Sequence, residues 1–236
     1  MLQYNAYMSK KSLLTLTAFL ATVNILSVVF LPAITNRIIR IVTLIVFFLL
    51  MLKSQVKRGN IIKYSFFFLI IADLMAFNYE DLLFNKLTSV IKIIAYLLLF
   101  KIAIPKFDFK KSNKFILIFF AILAILNLHA LNEVLHFIGN IEAHNVLKYL
   151  IYAHAITLVS LCYLVGSLNF TYPSKTNIYL SMFVFGIAFS DLSSVLAYYF
   201  DMISFSVLHR FLYVFSIFYA IRYMVAKEVS LSEAYL

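Results

Sequence analysis

Eight long apolar stretches, at roughly 13–31, 34–52, 61–79, 82–104, 114–138, 146–168, 177–200 and 206–226, leave this chain very few structures to adopt. A helix crosses the hydrocarbon core of a bilayer in about 20 residues, and each stretch is near that length. The stretches are apolar on every side and do not alternate, so they do not read as strands of a transmembrane barrel. Four glycines and three prolines in 236 residues give too little punctuation for a turn-rich β fold. Hydrophobic residues make up 64% of the chain and charged ones 13%, whereas a soluble domain carries about a quarter charged residues. No core in water could hide this much Leu, Ile and Phe, so lipid is the expected solvent for most of the surface. The fold expected is therefore all-α: one polytopic membrane bundle of about eight helices over residues 1–236. Its short connections leave no room for an extramembrane domain.

Basic residues set the expected orientation. One side collects Lys10, Lys11, Lys53, Lys57, Arg58, Lys63, Lys101, Lys106, Lys110, Lys111, Lys114, Lys175, Arg222 and Lys227, 14 of the 20 basic residues. The other holds Arg37, Arg40, Lys86, Lys92, Lys148 and Arg210, with Glu80, Asp81, Glu133, Glu142 and Asp201. Both termini are thus expected in the cytoplasm, with Arg37 and Arg40 as exceptions to the rule. The net charge of +10 is assigned to anionic headgroups and not to nucleic acid, because no basic domain exists outside the spans. The first stretch lacks a small-residue cleavage site and reads as a retained span. With no targeting segment, a bacterial inner membrane is the expected location. A lone Cys162 excludes an internal disulfide and a cysteine-based metal site.

Two acids stand where acids are costly. Asp73 lies 12 residues into the third stretch and Asp191 14 residues into the seventh, about 18 and 21 Å deep at 1.5 Å per residue. An ionisable group at such depth costs about 2.5–3.5 kcal/mol on insertion scales, so it faces the bundle interior and usually has a role. Two carboxyls at one level resist joint ionisation, which leaves a proton donor beside an acceptor, as general acid–base chemistry requires. The competing reading is structural, each Asp tying helices together separately. The runs around them, FFFLIIADLMAFNY and VFGIAFSDLSSVLAYYF, also echo one another loosely.

Histidines gather at the same level: His129, His154 and His209 in spans, His136 and His144 in the outer loop. A metal site or a haem pair of His129 and His154 lacks close ligand spacing, so the expectation is no metal, no cofactor and hydrogen-bonding residues around a wet cavity. Lys92, near mid-membrane, either pairs with Asp73 on the neighbouring helix or snorkels. Arg210 either grips a phosphate headgroup or anchors at the interface. Tyr96, Tyr152, Tyr213 and Tyr219 fall within spans and could reach the cavity. Signatures of soluble enzymes, such as GxSxG or HExxH, are absent.

At Ala72-Asp73 and Gly186…Ser190-Asp191 the chain resembles the YhhN family, the lysoplasmalogenases, and its aromatic last span, HRFLYVFSIFYAIRYMVA, fits as well. Ala72 stands where the family commonly has Gly, Arg222 near a common Gln, and Lys53-Ser54 in place of a Lys-Pro pair. The resemblance implies an eight-span hydrolase acting on a lysophospholipid within the bilayer. It implies Asp73 and Asp191 as catalytic groups and no cofactor, with Ser190 carried over from the same motif. Such enzymes cleave a vinyl-ether bond and release a fatty aldehyde. A proton-coupled carrier and a non-catalytic sensor or assembly subunit are the rival expectations.

Overall fold

A computed structural model describes residues 10–53, 60–108, 110, 112–137 and 145–226. Among the described residues the chain forms eight α-helices and no strand. They are α1 (Lys10–Phe30), α2 (Ala33–Lys53), α3 (Asn60–Met75), α4 (Leu82–Ala103), α5 (Lys114–Phe137), α6 (Asn145–Thr171), α7 (Lys175–Phe200) and α8 (Ile203–Val225). All eight are long and apolar enough to cross a membrane.

Local chemistry explains where the helices stop. Pro32 cannot continue α1, because it has no N–H to donate, and its carbonyl instead accepts from Asn36 N at 3.0 Å at the start of α2. Asp81 caps α4 by accepting from Leu83 N at 2.7 Å, and Ser174 caps α7 by accepting from Asn177 N at 3.1 Å. Pro105 sits in a 3-10 turn, Ile104–Lys106, that ends α4. The third apolar stretch departs from one continuous helix: α3 closes at Met75 and a 3-10 turn, Ala76–Asn78, tightens the hairpin into α4. Asp201 joins α7 to α8 in the left-handed region, φ 50°, a conformation that Asp tolerates better than most residues.

The helices close into a ring. Neighbours around it are α1, α2, α3, α4, α6, α7 and α8, and α8 returns to α1. The most extensive contact is α7 against α8, while α5 lies against α6 outside the ring. Small polar side chains tie neighbours together as in membrane bundles generally. Asn24 Nδ2 of α1 donates to Thr43 Oγ1 of α2 at 2.8 Å. Ser65 Oγ of α3 donates to the Ala95 carbonyl of α4 at 2.8 Å.

Polarity is inverted relative to a soluble protein. Phe19, Phe30, Phe115 and Ile125 are exposed, while Asp73, Asp191, Arg210, His209 and Ser190 are buried. This arrangement suits a chain whose outer solvent is hydrocarbon and whose polar groups find partners only inside.

Gly186 sets the approach of α7 to α8. A Cβ added there would meet Ser216 Cβ at 2.7 Å and the Ser216 Cα at 3.3 Å. Because one of these neighbours is backbone, the helices must move apart to admit a methyl group. Gly186→Ala is expected to cost about 1–3 kcal/mol, the range for overpacked sites, read as a lower midpoint of thermal unfolding in detergent.

Candidate functional site

Asp191 of α7 carries the most complete set of partners in the bundle. Lys92 and Tyr96 are four residues apart on α4, so they share one face of that helix. Lys92 Nζ lies 2.6 Å from Asp191 Oδ1, and Tyr96 donates its hydroxyl to Oδ2 at 2.5 Å. His154 of α6 places Nε2 3.3 Å from the same Oδ2, without the alignment of a hydrogen bond. Its ring stacks on Tyr96 with centroids 5.5 Å apart. One carboxylate thus draws α4, α6 and α7 together.

Asp73 of α3 is held in a parallel way. Tyr213 of α8 donates its hydroxyl to Oδ2 at 2.7 Å, and Arg40 Nη2 of α2 approaches Oδ1 at 3.3 Å. Arg37, one turn before Arg40, donates to Glu80 and to the Phe77 carbonyl in the α3–α4 turn. Arg210 of α8 donates Nη2 to Asn36 Oδ1 of α2 at 2.8 Å.

A third cluster fixes His209 of α8. Ser190 Oγ lies 2.8 Å from His209 Nδ1 and donates to the His209 carbonyl at 3.2 Å. The same Nδ1 lies 3.0 Å from the Ser190 carbonyl, which can only accept, so the proton belongs on Nδ1. That leaves Nε2 as an acceptor, and it is buried without a partner.

These groups surround one cavity of about 500 Å³ at the end of the ring where α1 meets α2, α3 meets α4 and α7 meets α8. Asp73, Asp191, Lys92, Tyr96, His154, His209, Arg210 and Tyr213 all lie on its wall. Each carboxylate is matched by its own cation, so the structure puts two separate ion pairs where one shared proton was expected. Lys92 pairs with Asp191 and not with Asp73: the ring brings α7 across the cavity to meet the α4 face that carries Lys92 and Tyr96.

Four expected residues fall elsewhere. His129 is exposed on α5, the helix outside the ring. Tyr152 points toward that helix and donates to Asn132 Oδ1 at 2.6 Å. Tyr219 packs against Phe215, Phe218 and Tyr179, away from the cavity. Ser190 is buried behind His209 and does not reach the wall. The side chain of His136, and His144 entirely, lie outside the described residues. Among the described residues no three His, Cys, Asp or Glu side chains converge as a metal site.

Sequence reasoning missed Asn36, Arg37 and Arg40, which all line the cavity. A signal was present: two arginines at three-residue spacing were the exceptions to the charge rule, and helical spacing of three places them on one face. Comparison of the chain with protein-family models, with curated proteins and with solved structures gives no match.

Lys92→Met would leave a buried carboxylate without its cation, and loss of one partner of a buried pair costs on the order of 3 kcal/mol. The double variant Lys92→Met/Asp191→Asn should recover at least about half of that loss, read by thermal unfolding of the four members of the cycle. At the rim, the hydrogen bond from Arg37 holds the Glu80 carboxyl below its usual range. The stability this adds is complete above the unfolded glutamate value of about 4.3 and disappears as pH falls through the lowered folded value. Because Glu80 is 60% exposed, the contribution is below about 1 kcal/mol. The difference in melting between wild type and Glu80→Gln should therefore shrink toward zero at the lowest pH of a titration from neutrality.

Proposed function

We propose that this chain is an integral membrane hydrolase that cleaves the vinyl-ether bond of lysoplasmalogen-type lipids. Its termini lie in the cytoplasm of a bacterial cell and its cavity opens to the outer face. One observation carries the proposal: carboxylates from α3 and α7, each held by a cation and a tyrosine hydroxyl, border a single cavity of about 500 Å³. That volume lies within the range of sites for small organic ligands, roughly 300–1,000 Å³. The substrate class comes from the resemblance to lysoplasmalogenases at Ala72-Asp73 and Gly186…Ser190-Asp191.

The chemistry runs in two stages. A proton moves from the Asp191 cluster to the β-carbon of the vinyl ether, creating an oxocarbenium ion at the carbon bonded to oxygen. Lys92, Tyr96 and His154 all surround the two oxygens of Asp191, so the cluster is a proton store with Asp191 as its exit. Asp73, fixed by Tyr213 and Arg40, offers negative charge to the cation as it forms, in a site where such charge acts at low dielectric. Water then adds to the oxocarbenium carbon, and His209 Nε2, an acceptor without a partner, takes its proton. The hemiacetal collapses by cleavage of the carbon–oxygen bond to the glycerol, giving a fatty aldehyde and the free glycerophospho alcohol. In that collapse the hemiacetal hydroxyl proton passes to the departing glycerol oxygen, and the proton held by His209 returns through cavity water to the Asp191 cluster, so the protein regains its starting state without a metal or organic cofactor. A proton-coupled carrier is the second reading, favoured by the same pairing of intramembrane acids with Lys92 and Arg40, which a proton relay also employs.

Purified protein supplied with lysoplasmalogen should release aldehyde. Asp191→Asn should lower kcat by at least about 100-fold, the lower bound for an acid–base group, and Asp73→Asn by about 100-fold or more, the loss expected for a group that stabilises transition-state charge. A wild-type protein that releases no aldehyde from any vinyl-ether lysolipid overturns the hydrolase. Proton-coupled uptake by vesicles containing it would then establish the carrier.

A further inference from the structure

The charges on the cavity wall do not cancel locally. Arg37 is matched by Glu80, Arg40 by Asp73 and Lys92 by Asp191. Asp201, the remaining acid on the wall, is exposed at the mouth. Arg210 has no acidic partner among the described residues, although it is only 5% exposed. Its Nη2 donates to the neutral carboxamide of Asn36, and its Nη1 donates to nothing. Arg40, one turn beyond Asn36 on α2, likewise has its Nε without a partner. A guanidinium does not lose its proton to escape burial, and a buried charge without a counter-charge is costly. Two residues of the inner wall, one on α2 and one on α8, therefore carry an unmatched positive charge and two buried N–H donors without partners.

We infer that Arg210, Arg40 and Asn36 form a subsite for a phosphate-type oxyanion. Turned into the cavity, donors carried by two different helices suit a tetrahedral anion whose oxygens diverge, whereas a carboxylate presents one planar edge. One unmatched cation fits an anion of one net charge, as in a phosphodiester. The subsite lies in the cavity of the proposed reaction and deepens that reading by giving the headgroup a contact. The occupant is either the phosphodiester of a single-chain lipid or a free phosphate ion.

The test uses an alkyl-ether lysophosphocholine, whose chain is joined by a saturated ether. It has nothing for the proposed reaction to cleave, so failure of the hydrolase leaves this measurement intact. Binding to the full-length protein in detergent is compared, by native mass spectrometry and thermal shift, with a monoalkylglycerol of equal chain length, a fatty carboxylate and inorganic phosphate. The phosphodiester lipid is expected to bind at least ten-fold more tightly than the monoalkylglycerol. Arg210→Met should abolish that preference and Arg210→Lys should retain part of it. Asn36→Asp gives a variant that does not depend on losing a buried group: its carboxylate would stand beside Arg210, supply the missing charge, raise the melting midpoint and remove the preference. Inorganic phosphate that shifts the wild type but not Arg210→Met assigns the subsite to the free ion, and a shift by the lipid alone assigns it to the headgroup. Equal binding of the monoalkylglycerol, equal binding of the fatty carboxylate, or a preference that survives Asn36→Asp each overturns the assignment.

Discussion

The contact of Lys92 and Tyr96 with Asp191 is the interaction on which the rest of the bundle's interior depends. A carboxylate within an apolar bundle is tolerable only when cations and hydroxyls replace the water it has left. Asp191 meets that demand by reaching across to α4 and α6, so one side chain fixes the positions of three helices. Asp73 repeats the solution with α2 and α8. The two clusters between them involve every helix that lines the cavity. The proposed chemistry and the architecture rest on the same bonds, so a substitution at either acid would act on both.

The outline of the fold was legible because lipid imposes a simple rule on sequence. The third stretch, 61–79, and the fourth, 82–104, match α3 with its following turn and α4 to within a few residues, since apolar length and a polar break at Asn78 to Asp81 define them. Periodicity could not say which helices meet across the ring. Lys92 illustrates the gap: its sequence neighbour was α3, but its partner is on α7. Nor does hydropathy distinguish a span in the ring from one outside it. The stretch in α5 is among the most apolar of the eight, yet only 6% of it is buried, so His129 was placed by depth in a site that its helix does not reach.

Arg37 and Arg40 show how an exception can carry more information than the rule it breaks. They sit on the side where basic residues are scarce, and the structure accounts for both through Glu80 and Asp73. Neither is an anchor at the lipid surface. These two arginines bond to groups of the protein, and the count that fixes orientation is better made without them. The remaining basic excess on the opposite side is then less ambiguous than the whole-chain tally suggests.

The ring closes from α4 directly to α6, and this has a consequence for how the wall can vary. α5 lies behind α6 and contributes nothing to the cavity. Apart from those that meet α6, such as Asn132 and Phe120, its side chains are free to drift so long as they remain soluble in hydrocarbon, while each ring helix is constrained by the side chains it sends inward. Among natural variants of this protein, α5 is the segment where sequence should diverge fastest, its apolar character persisting after the identity of individual residues has been lost.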